Sequence, residues 1–144
     1  MKEIIAIHGW AGDSNVWQEW KSYFTNHKWL WQNYERGYGD IPSFQPCWLQ
    51  LKEDIDTQKR TLICHSFGFH LINKSVLKKA TEVVLISSFS NFISKEKESR
   101  SQRIALTGMK KVIGTSEENE MLKNFLIKTT HPYPINSLPY TPIT

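Results

Sequence analysis

Four short apolar runs, separated by helix-length stretches, constrain this chain more than any other feature. Ile4-Ile5-Ala6-Ile7 stops at His8-Gly9, and residues 29–34 stop at the turn-rich Gly37-Tyr38-Gly39-Asp40-Ile41-Pro42. Arg60-Thr61-Leu62-Ile63-Cys64 stops at His65-Ser66-Phe67-Gly68, and residues 82–87 form the fourth run. A run as short as the first, stopped by glycine, reads as a buried parallel strand. Between them, Asp13 or Ser14 caps a helix whose apolar face is Val16, Trp17, Trp20 and Phe24. Residues 46–56 read as a second helix and residues 69–79 as a third. Strands alternating with helices predict right-handed βαβ units and an α/β fold with helices on both faces of a mostly parallel sheet.

The pattern changes after Phe92. Residues 93–128 are charged, helix-prone and without a strand signal, and residues from 129 carry Pro132, Pro134, Pro139 and Pro142, which predicts an irregular tail. The organisation expected is therefore a core over 1–92, a helical cap over 93–128 and a tail over 129–144. The net charge of +4 is concentrated between residues 95 and 111, where six basic residues face Glu96 and Glu98. Such a surface attracts anionic partners, although a solvated helix face has the same composition. No nucleic-acid-binding motif accompanies it. All six tryptophans lie in the first 48 residues, which marks that half for dense packing. Cys47 and Cys64 have no metal-ligand spacing, and no cofactor or metal is expected. No run reaches the ~20 apolar residues of a membrane span, so a cytoplasmic protein with reduced thiols and no membrane partner is expected.

The chemistry is carried by Cys64-His65-Ser66-Phe67-Gly68, between a strand and a helix. A serine there sits on a tight turn that lifts its hydroxyl above the carboxyl ends of the strands. The positions two before and two after must be small because backbone meets backbone at the bend. Gly68 meets that demand, and Cys64 stands where the usual Gly-x-Ser-x-Gly has its first glycine. Attack by the Ser66 hydroxyl on an ester carbonyl creates an oxyanion, which needs fixed donors. The backbone N–H groups of Phe67 and of Trp10, in the loop after the first strand, are the candidates.

With His8-Gly9-Trp10-Ala11-Gly12, Val16-Trp17, Tyr34-Glu35-Arg36-Gly37-Tyr38-Gly39 and Leu85-Ile86-Ser87-Ser88-Phe89, these residues resemble the α/β-hydrolase superfamily over residues 4–92. Within it the chain looks most like the pimeloyl-[acyl-carrier protein] methyl ester esterases of biotin synthesis. The resemblance implies a serine carboxylesterase whose strands run in the order 29–34, 3–8, 60–65, 83–88, with two more beyond the last. It also implies a helical lid in which Met109, Val112 and Ile113, with Phe89, line an acyl pocket. Arg100, Arg103, Lys110 and Lys111 would then face an acidic acyl-carrier protein.

A serine hydroxyl needs an imidazole as base, and the imidazole needs a carboxylate to orient it. In this superfamily both follow the serine in the chain. Here every aspartate precedes Ser66, Glu82 opens a strand at the wrong end of the sheet, and the later glutamates fall in the lid. Only His70 and His131 follow Ser66. His70 reads as a surface or core histidine, His131 as a surrogate base at most, His8 as an anchor of its loop, and His65 as pointing away from the hydroxyl. The expectation is an incomplete reading frame, with a non-catalytic binding protein that keeps the pocket as the alternative.

Overall fold

The computed structural model describes residues 1–38, 40–49, 58–93 and 99–132. Four strands, β1 (Lys2–Ile7), β2 (Leu30–Tyr34), β3 (Lys59–His65) and β4 (Glu82–Ile86), form one sheet in the order β2-β1-β3-β4, every pair parallel. For these four strands that is the order the resemblance implies. Parallel pairing places all four carboxyl ends at one rim of the sheet, where the loops His8–Gly12, Glu35–Tyr38, Ser66–Gly68 and Ser87–Phe89 gather.

In the two central strands, β1 and β3, the apolar runs are continuous because both faces are covered. On one face Ile5, Ile7, Leu62 and Cys64 pack with Trp48 and Val76. On the other Ile4, Ala6 and Ile63 pack with Trp17, and Phe24, Trp29 and Trp31 close over them. Burying an isoleucine or leucine completely contributes about 1.5–3 kcal/mol, and Ile4, Ile5, Ile7, Leu62 and Ile63 are all at most 2% exposed. At the opposite, amino-terminal edge, the buried carboxylate of Glu3 accepts from Leu49 N–H at 2.9 Å and faces Arg60 Nε at 3.8 Å. Arg60 in turn donates to the Leu49 carbonyl at 2.9 Å, which pins that segment across the sheet.

Asp13 caps a 3-10 turn over Ser14–Trp17, its carboxylate accepting from Asn15 N–H at 2.8 Å, and the chain continues into α1 (Gln18–Asn26). The predicted apolar face is only half right. Trp17 is buried and Phe24 packs on the core, but Val16 and Trp20 are each 42% exposed. Trp20 meets Trp17 edge-on, at 5.7 Å between centroids.

The single helix expected over residues 69–79 is two pieces. A 3-10 helix, Ser66–Leu71, ends at the extended Ile72, and Asn73 caps α2 (Lys74–Lys78) by accepting from Ser75 N–H. Asparagine competes for nearby backbone donors and so starts a helix here instead of continuing one. Of the helix expected over 46–56, residues 46–49 are not helical and residues 50–56 lie outside the described residues.

The cap is a helix pair, α3 (Arg100–Val112) and α4 (Glu118–Thr130). Gly114, at φ +79°, makes the turn between them, and its N–H donates to Glu118 at 2.6 Å. Residues 129 and 130, expected in the irregular tail, still belong to α4. Among the described residues no helix is long and apolar enough to cross a membrane.

Candidate active site

β3 ends at His65, and the chain bends at Ser66, whose φ is +52°. A non-glycine residue in this left-handed region costs ~1–2 kcal/mol, and strain of this kind collects at functional positions. Gly68 lets the bend close: a Cβ there would stand 2.9 Å from the carbonyl oxygens of both Ile7 and His8. Gly9 does the same from the β1 side. A Cβ on it would come within 3.0 Å of His65 Nδ1 and 3.2 Å of Ser66 Cβ. The loop after β1 therefore lies directly against the serine, with Trp10 next in sequence. Cys64, two residues before Ser66, is fully buried, and burial pushes its thiol up to about 12.

Above the bend lies a cavity of about 480 Å³, within the usual range for small-molecule sites. Among the described residues its wall is apolar apart from Ser66, Lys110 and the indole N–H of Trp10. Trp10, Phe67 and Phe89 reach it from the rim loops, and Phe125 of α4 meets Trp10 edge-on at 5.0 Å between centroids. From α3 come Leu106, Met109, Lys110 and Ile113, the i, i+3, i+4, i+7 face of a helix. Met109, Ile113 and Phe89, which the resemblance would place around an acyl chain, line this cavity. Val112 is not in the wall, because at ~100° per residue it falls about 60° outside that face. Leu106 was legible from the same periodicity but was not named. Phe92, Ile93 and Phe125 carried no signal that would single them out.

The two backbone donors expected to receive an oxyanion have no backbone acceptor of their own. Among the described residues nothing accepts from Trp10 N–H, and Phe67 N–H lies in the first turn of a 3-10 helix, where no intrahelical acceptor exists. The rim loops are tied to the bend at two points. The Ser88 hydroxyl donates to the Ser66 carbonyl at 2.7 Å, and His70 Nε2 donates to the Phe89 carbonyl at 2.8 Å. The His70 ring packs beside both Phe67 and Phe89, at 5.5 and 5.2 Å, and those two rings are 6.4 Å apart. That is a structural role for His70.

His8 is buried beneath the rim. Its Nδ1 donates to the Gly9 carbonyl at 2.9 Å, and its Nε2 faces Glu35 Oε2 at 3.5 Å. The β1–β2 register pairs Ile7 with Tyr34, so His8 and Glu35 are the next residues along that ladder. Sequence reasoning missed Glu35 because only the register brings it there. Burial first, and the neighbouring His8 second, hold the His65 imidazole below its ordinary range. Arg36 lies over the rings of Tyr38 and Phe67, at 4.7 and 5.9 Å. Burial pushes the Tyr38 phenol up, and the Arg36 charge only partly offsets it.

No described side chain hydrogen-bonds the Ser66 hydroxyl. His131 is exposed at the end of α4 and is absent from the pocket wall. Glu82 opens β4 at the far end of the sheet, where it accepts from Thr61 and pairs with Lys59 at 3.4 Å. Glu96 and Glu98 lie outside the described residues. Among the described residues no cluster of histidine, cysteine and carboxylate side chains could hold a metal ion. On α3, Arg100, Arg103, Lys110 and Lys111 share an arc of about 100° that adjoins the pocket face, and Lys110 belongs to both. No protein-family model matches the sequence, and a search of curated proteins finds no similar one.

Proposed function

We propose that this chain is a serine hydrolase of the α/β-hydrolase type that acts on a carboxylic ester with an apolar acyl group. The observation that carries the reading is Ser66 at positive φ between strand and helix, at the floor of an apolar pocket. In the reaction, Ser66 Oγ bonds to the ester carbonyl carbon as the hydroxyl proton leaves to a base. The carbonyl electron pair moves onto oxygen, which the Trp10 and Phe67 N–H groups receive. Collapse breaks the bond to the leaving alkoxide, which takes up a proton, and water then releases the acid from Ser66. The wall chemistry suits an aliphatic or aromatic acyl chain, such as a methyl ester of a carrier-bound dicarboxylic acid. The basic arc of α3 would dock the acidic carrier, and that binding weakens steeply with added salt.

The lack of a hydrogen-bonded base at Ser66 Oγ favours a second reading, a binding protein that keeps the pocket without the reaction. Labelling with a fluorophosphonate separates the two. Modification at Ser66 that disappears in Ser66→Ala supports the esterase. An unmodified wild-type chain that still binds apolar carboxylic esters supports the binding protein.

A further inference from the structure

We infer that Ser88 is a positioning residue for the oxyanion site, acting through the peptide group that joins Ser66 to Phe67. The inference rests on the esterase reading for its catalytic meaning. One rigid peptide unit carries both the Ser66 carbonyl and the Phe67 N–H, so whatever holds the oxygen aims the hydrogen. The Ser88 hydroxyl holds that oxygen at 2.7 Å. The grip matters because Ser66, at φ +52°, sits in a narrow and strained backbone well, out of which the peptide would otherwise rotate. Hydrogen bonds in series also polarise one another, so a bond accepted by the carbonyl makes the N–H of the same unit a better donor.

Ser88 is itself carefully placed. β4 ends at Ile86, and Ser87 follows at φ +47°, which turns the chain back over the bend. The next residue along, Phe89, is held by His70 from the helix that Ser66 begins. The β3–β4 register pairs His65 with Ile86, which sets Ser88 beside Ser66 through two tight turns, one on each strand. The bend and its brace thus come from neighbouring strands.

The test compares Ser88→Ala and Ser88→Thr with wild type. Serine labelled with ¹³C at the carbonyl and phenylalanine labelled with ¹⁵N give signals only from Ser-Phe pairs, which occur at 43–44, 66–67 and 88–89. In Ser88→Ala the Ser66 carbonyl should move upfield and the Phe67 amide should move with it, while 43–44 stays in place. Fluorophosphonate labelling should slow about tenfold, short of the ~10²–10³-fold expected when a whole oxyanion donor is removed. Affinity for a non-reactive apolar ligand should not change, and Ser88→Thr should restore both the shifts and the rate. Unmoved signals at 66–67, or a labelling rate equal to wild type, would overturn the inference. A wild-type chain that is not labelled at all would sink the esterase reading alone, and the brace would then stand or fall on the two shifts.

Discussion

Ser66 is the residue at which local energy and proposed chemistry pull in opposite directions. Its left-handed backbone is a cost that glycine would not bear, so Ser66→Gly should raise stability by about 0.5–1 kcal/mol while abolishing any reaction at the hydroxyl. Thermal or urea unfolding reads this, and a destabilised Ser66→Gly would mean the bend is not strained. His65, next door, makes the fold sensitive to acid. Its imidazole titrates lower in the folded chain than its ordinary value of about 6.5, so below that pH the unfolded chain binds more protons. Its contribution to stability is complete above pH ~6.5 and is lost as the pH falls toward the folded value. Urea midpoints for wild type and His65→Asn should diverge between pH 7.5 and 5.5, the wild type falling more steeply. Residues of this kind were legible where one position's chemistry is unusual, as at Ser66 and Gly68. They were illegible where meaning comes from a partner, as for Glu35 beneath His8 or Ser88 above Ser66.

Among the elements, strands announced themselves and helix faces did so less well. A strand buried on both faces is one unbroken apolar word, whereas a helix face must be inferred from spacing that several residues fit equally. Hence the four strands fall where the sequence put them, while Val16, Trp20 and Val112 were assigned to faces they do not occupy. Asn73 was the unread sign that one helix is two. The α3–α4 pair meets the pocket through apolar side chains such as Leu106, Met109 and Phe125, and Leu122 is completely buried. Leu122→Ala should cost about 2–5 kcal/mol of local packing. Because the sheet has its own two-sided core, hydrogen exchange should speed up across residues 100–130 and stay slow in β1 and β3. Uniform acceleration throughout would show that the cap and sheet unfold as one unit.

At the scale of the whole molecule, the β4 margin of the sheet is apolar and exposed among the described residues. Among the described residues β4 pairs only with β3, and Val83 and Leu85, which lie beside Leu62 and Cys64, are 40% and 53% exposed. Unpaired strand margins of this composition recruit other strands. Val83→Thr with Leu85→Lys should keep the chain monomeric at concentrations where wild type sediments as larger species, with stability changed by less than about 0.5 kcal/mol. Equal sedimentation of the two would show that this margin is not sticky. The parallel arrangement has one more consequence, which concerns how such a protein changes over time. Its fold is clamped at the strand beginnings by Glu3, Arg60 and Leu49, whereas the proposed chemistry would sit at the strand endings. Diversity introduced at the endings would alter what is recognised and leave folding intact, so new specificities are within short mutational reach.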